Sequence, residues 1–159
     1  LYNDSIVAQI VKRFQKEDAV VIYVPDHGEE CYEEDRGFIC RNHSANIDWP
    51  LAHYEFEIPF WIYCSPKYIR NHRDIYRQIR KAKDKRFMTD ALPHLLLYLA
   101  GIETPTYKEE YNILSPKYNE MRPRILKNSA DYDQLRDEHL EKVEKEKRKK
   151  EKSKKGDKK

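Results

Sequence analysis

Apolar positions along the chain recur with two rhythms, one helical and one strand-like. Ile6, Val7, Ile10, Val11 and Phe14 return at three- and four-residue spacing, with Lys12, Arg13 and Lys16 among them. That spacing predicts an amphipathic helix over residues 5–17, with Asn3, Asp4 or Ser5 available as its cap. After a very short turn, Ala19 to Val24 is a continuous apolar run that reads as a buried strand and stops at Pro25-Asp26-His27-Gly28-Glu29-Glu30. From Asp26 to about Glu55 no period is visible, which predicts a long polar loop. Ile58 to Cys64, rich in β-branched and aromatic residues, reads as a second buried strand, with Pro59 near its start, where a missing N–H does little harm. Ser65-Pro66 opens a helix that runs to about Lys83 on Ile69, Ile75, Tyr76 and Ile79. Thr89 is the expected cap of a further helix over 90–100, with Leu92, Leu95, Leu96 and Leu99 facing the core and Gly101 as its stop. Residues 103–126 are turn-rich, and beyond Tyr132 only Leu135, Leu140 and Val143 are apolar. That last stretch predicts a charged helix or coil lying outside the core.

Helix, strand, loop, strand, helix, helix is the order expected of part of an α/β domain with three layers, α/β/α. Two strands do not make a stable sheet between helical layers, so strands from elsewhere in a longer protein are expected to complete it. The chain divides on this reading into residues 1–132 and a charged tail, 133–159, which is disordered or helical. With 37% charged residues and a mean hydropathy of −0.99, the chain is polar for its 159 residues, and part of it must lie outside any core. The charge is uneven: residues 137–159 hold 11 Lys/Arg against 7 Asp/Glu, which leaves the body almost neutral. Basic residues confined to a low-complexity Lys/Glu run, rather than set on a folded face, argue against nucleic acid as the partner. No apolar stretch is long enough to span a bilayer, and Leu1 reads as a cut inside a longer protein. Cys31, Cys40 and Cys64 form no metal-finger spacing; whether Cys31 and Cys40 pair is left open by their positions.

Asp26 and His27 stand where a buried strand runs out, which is where open α/β sheets place their chemistry. In the turn beyond Pro25 both side chains can converge on one ion, with Gly28 expected to supply the conformational freedom for that turn. A carboxylate oxygen with an imidazole nitrogen suits zinc, manganese or iron better than calcium. The plainer reading makes Asp26 a loop cap and His27 an ordinary half-buried histidine, with Glu29 and Glu30 solvated. His43, in the middle of the long loop, is a candidate for binding phosphate or protonating a leaving group, and His53 competes for that role. His72, His94 and His139 show no partner pattern.

Taken together, Tyr2-Asn3-Asp4-Ser5, the strand ending in Asp26-His27-Gly28-Glu29-Glu30, Asn42-His43-Ser44, Glu57-Ile58-Pro59-Phe60-Trp61 and Thr89-Asp90-Ala91-Leu92 resemble the phosphoethanolamine transferases of the sulfatase and alkaline phosphatase superfamily in order and rough spacing. The segment Asn112 to Asn119 is similar to one branch of that family. The resemblance implies an inner-membrane enzyme whose periplasmic domain moves phosphoethanolamine from phosphatidylethanolamine to lipid A or another surface glycan. It implies that Asp26 and His27 ligate a catalytic zinc and that His43 contacts the phosphate or a second metal. The family's Thr nucleophile and a further acidic zinc ligand match nothing in this chain, so the fragment is expected to be inactive without the remainder of the catalytic domain and its membrane anchor. The implied zinc polarises the phosphoryl group and activates the Thr hydroxyl.

Two other readings compete. A sulfatase- or phosphatase-type hydrolase of the same superfamily would share the Asp-His pair but use a different nucleophile and water as acceptor. A non-enzymatic binding module would place the function in the lysine-rich tail and be indifferent to Asp26 and His27.

Overall fold

A computed structural model of the chain describes residues 2–40 and 46–156. It mixes six α-helices with three two-stranded antiparallel ladders among the described residues, an α/β composition. Two compact units are present, one formed by Leu1–Val24 with Pro59–Arg122, the other by Pro25–Ile58 with Pro123–Lys159.

In the first unit, helix α1 (Tyr2–Phe14) begins earlier than its apolar spacing predicts, with Asp4 in its first turn and Lys12 and Arg13 in its last, each complementing the helix dipole. Val7 and Val11 are half-buried, whereas Tyr2, Ile6, Ile10 and Phe14 form an exposed stripe along the helix. Strand β1 (Val20–Tyr23) pairs antiparallel with β4 (Trp61–Cys64), Val20 opposite Cys64 and Tyr23 opposite Trp61. The rings of Tyr23 and Trp61 stack across the ladder, centroids 5.2 Å apart.

Ser65 explains the chain path after β4. Fully buried, it accepts from Tyr68 N at 3.0 Å as the cap of α3 (Pro66–Asn71) and donates to the carbonyl of Glu17 at 2.5 Å. The single helix expected to Lys83 is broken at His72 (φ −124°, ψ 51°) into α3 and α4 (Arg73–Ala82). Asp18 causes the break to hold: its carboxylate lies 3.3 Å from His72 Nε2 and accepts from Asn71 Nδ2 at 2.7 Å. Helix α5 (Leu92–Ala100) ends on Gly101 in the left-handed region (φ 65°) as expected. Its start differs from expectation: Thr89 opens a 3-10 turn (Thr89–Ala91), the cap position of α5 is Ala91, and no side chain caps it. Leu95 is fully buried with Ala82, Ile113 and Leu114, while Leu96, expected to face the core, is 45% exposed. Cys64, a buried free thiol at the end of β4, has its pKa pushed up by burial.

The second unit holds what was expected to be a featureless loop. It contains a bulged ladder of β2 (Glu30–Cys31) with β3 (Phe38–Cys40), and a helix, α2 (Trp49–Phe56). Asp48 caps α2 by accepting from Leu51 N at 3.0 Å, and Pro50 sits in the first turn. After the ladder of β5 (Ile125–Leu126) with β6 (Ala130–Asp131), helix α6 runs from Tyr132 to Gly156. Its first turns are not outside the core: Tyr132 is buried with Ala52 and Leu126, and Leu135 packs against them beside Trp49 and Phe56. Among the described residues no helix is long and apolar enough to cross a membrane.

Candidate metal centre

Asp26 and His27 follow β1 by three and four residues and sit in the second unit. The peptide N–H of His27 donates to Asp26 Oδ1 at 3.1 Å, a local turn that brings the two side chains to the same side. His27 Nε2 lies 3.5 Å from Asp26 Oδ2. The other ring nitrogen, Nδ1, is 2.7 Å from the carbonyl oxygen of Gly28. A carbonyl only accepts, so Nδ1 carries a proton, and Nε2, on the carboxylate side, is the ring nitrogen that a metal could take. Asp26 is almost fully exposed and His27 about a quarter exposed, so the pair opens to solvent on the carboxylate side.

Gly28 locks this turn for a reason other than the one its sequence suggests. Its φ is not positive, so conformational freedom is not the requirement. Space is. The Gly28 N–H donates to the carbonyl of Glu55 at 2.8 Å, and a Cβ built on Gly28 would stand 2.2 Å from the carbonyl oxygen of Tyr54. The end of α2 is therefore a wall against which the Asp26-His27 turn is pressed.

Glu30, expected to be solvated, is completely buried and pairs with Arg36 Nε at 2.5 Å. Arg36 also reaches Asp48 Oδ2 at 2.6 Å, so one guanidinium ties the β2 strand to the cap of α2. Arg36 and its neighbours hold Asp48 below the ordinary carboxylate range: burial opposes this, but the hydrogen bonds from Arg36 and from Leu51 N outweigh it. The sequence carried one signal for this clamp, the Asp48-Trp49-Pro50 helix start; nothing in it marked Arg36 as the partner of Glu30.

His53, the competitor for a phosphate role, is committed within α2. Its Nδ1 is 3.0 Å from Glu57 Oε1, and its ring stacks on Trp49, whose indole also stacks with His139 of α6. Tyr132 donates its hydroxyl to the same Glu57 carboxylate. Burial and that hydrogen bond push the Tyr132 pKa up to about 12. His94 Nδ1 accepts from Lys108 N at 3.2 Å, and His72 is held by Asp18. His43 lies outside the described residues.

The donor chemistry fits zinc in part. Zinc bonds to nitrogen and oxygen of about 2.0–2.2 Å in a tetrahedral arrangement place two donors roughly 3.3–3.6 Å apart, a range that includes the separation of Nε2 and Oδ2. Among the described residues, no cluster of three or more His, Cys, Asp or Glu side chains is present, so the pair supplies two positions of a site and no more.

No family model matches the chain. It is 31% and 30% identical, over 143 residues, to the phosphoethanolamine transferase EptC of two strains of Escherichia coli, in an alignment covering 85% of this chain and 23% of each relative. The fold is similar to the crystal structure of the C-terminal periplasmic domain of EptC from Escherichia coli, at a TM-score of 0.66 and 28% identity, covering 85% of this chain and 38% of that one. The same domain in complex with Zn gives a TM-score of 0.65. The chain thus spans about a quarter of the length of the curated relatives it matches.

Proposed function

We infer, from the premise that this chain is homologous to the phosphoethanolamine transferase EptC, that it is the C-terminal part of a zinc-dependent enzyme of that activity. In this reading residues 1–132 belong to a three-layer α/β/α catalytic domain of the sulfatase type, residues 133–159 are a charged extension, and the domain is periplasmic on an inner-membrane anchor. The donor is phosphatidylethanolamine and the acceptor lipid A or another surface glycan. The remainder of the domain covers the exposed stripe of α1 and extends the two-stranded β1–β4 ladder, both of which need partners.

One observation carries the reading: Nε2 of His27 and the carboxylate of Asp26 face each other across 3.5 Å, while the Gly28 carbonyl occupies Nδ1 and leaves Nε2 as the ring nitrogen a metal could take. Asp26 and His27 would hold the zinc, which when bound supplies Lewis acidity toward a phosphoryl oxygen. Gly28 holds the Nδ1 proton of His27 and, through Glu55, anchors the turn. His43 is assigned to the phosphate, and the nucleophile, a Thr hydroxyl, comes from outside this chain.

In the full-length protein, His27→Ala should lower zinc content and abolish transfer; a metal-free protein with normal activity would sink the assignment. Release of free phosphoethanolamine at the same rate with and without acceptor would identify a hydrolase instead. The 159-residue chain alone should bind zinc weakly, since two donors leave a tetrahedral site half filled. Stoichiometric zinc surviving chelator dialysis would show that a further group completes the site.

A further inference from the structure

We infer that the far end of α6 is a docking surface for the anionic headgroups of a lipid bilayer. The helix is polarised in charge along its length. Residues 132–146 hold six carboxylates and three Lys/Arg, whereas residues 147–155 hold six lysines and one arginine against the single Glu151. The near half spends its charges on itself and on its own unit: Arg124 Nε donates to Asp133 at 3.1 Å, Arg136 lies 3.4 Å from Asp133, and Lys145 lies 3.1 Å from Glu141.

Beyond that point the pairing thins. Arg148 still reaches Glu144, but Lys147, Lys149 and Lys152 are exposed and, among the described residues, have no carboxylate partner. At 100° per residue these cations ring the helix axis rather than line one face, so contact with a flat anionic surface needs no particular roll of the helix. His139 is the last α6 residue stacked on Trp49, and at 1.5 Å per residue Lys149 stands about 15 Å further along the axis. The arrangement is a helical arm, packed at its acidic base and carrying a basic tip.

The chemistry of the tip favours headgroups over nucleic acid. Residues 133–159 contain no Phe, Trp or Tyr, so nothing there can stack on a base. Lysine dominates the tip over arginine, and lysine acts as a hydrated point charge without the bidentate fork that reads base edges. Clustered lysines attracted to a diffuse negative surface are the expected pattern for anionic lipid. The inference goes beyond the transferase reading and does not depend on it.

Flotation of the 159-residue chain with vesicles separates these cases. Vesicles of phosphatidylcholine mixed with phosphatidylglycerol should carry the chain upward at low salt, and vesicles of phosphatidylcholine alone should not. Raised salt should release it, because exposed charges are screened. The combined variant Lys147→Gln, Lys149→Gln, Lys150→Gln, Lys152→Gln keeps helix propensity and should weaken partitioning at least about tenfold. The matched variant Lys12→Gln, Lys16→Gln, Lys67→Gln, Lys81→Gln removes the same net charge elsewhere and should leave flotation in place. Flotation on neutral vesicles, equal losses in the two variants, no flotation at all, or release of the bound chain by equimolar duplex DNA would each overturn the proposal.

Discussion

Gly28 is the position where a single atom decides the site. Its Cβ would overlap the Tyr54 carbonyl, so Gly28→Ala must push the Asp26-His27 turn off the end of α2. A cost of about 1–3 kcal/mol, typical of overpacking, should appear in chemical denaturation of the chain. If Asp26 and His27 hold zinc as proposed, the zinc affinity of the full-length protein should fall with it, even though neither side chain has been altered. Arg36 sets a second expectation. Arg36→Gln strands the fully buried Glu30 carboxylate and should destabilise by roughly 3–5 kcal/mol. The double variant Glu30→Gln, Arg36→Gln removes the uncompensated charge and should recover much of the loss; equal losses in Arg36→Gln and the double variant would show that the stranded charge is not what destabilises. At this scale the juxtaposition of Asp26 and His27 was legible, because a polar pair ending an apolar run is visible in the linear order. It did not announce Glu30, whose burial depends on an arginine six residues away reaching across a left-handed turn at Tyr32 and Asp35.

The elements were legible wherever a local signal sufficed. The β1 and β4 runs, the Ser65-Pro66 start of α3 and the Gly101 stop of α5 all appear where the residues place them. Helix α2 escaped because eight residues offer little periodicity, and its cap had to be read from Asp48 and Pro50 alone. The break between α3 and α4 escaped for a different reason: the Asp18 carboxylate that holds it lies more than fifty residues earlier. Asp48 gives the test at this level. Asp48→Ala loses both the α2 cap and one partner of Arg36, and should lower stability by about 1–2 kcal/mol in thermal unfolding. Asp48→Asn keeps a capping oxygen and should recover part of that; if it matches alanine, the charge on Arg36 outweighs the cap.

For the whole molecule, pH dependence at the alkaline end follows from Tyr132. Its folded pKa is raised to about 12 from an ordinary value of 10, so the folded state favours the neutral phenol. The stabilisation is complete below about pH 10 and is lost as pH rises towards 12, to the extent of roughly 2 kcal/mol. Urea midpoints measured across that window should fall for the native chain and fall less for Tyr132→Phe, the difference isolating this group from the lysines. In the other unit, Leu95→Ala at a fully buried position should cost about 2–5 kcal/mol.

The sulfhydryl of Cys64 offers a clock for that same unit. It is sequestered at a strand end and its ionisation is suppressed by burial, so alkylating reagents meet neither an accessible nor a nucleophilic sulfur while the unit is closed. Labelling of this position therefore times each opening of the β1–β4 ladder. In an oxidising compartment the same shielding keeps the cysteine from exchanging with a passing disulfide.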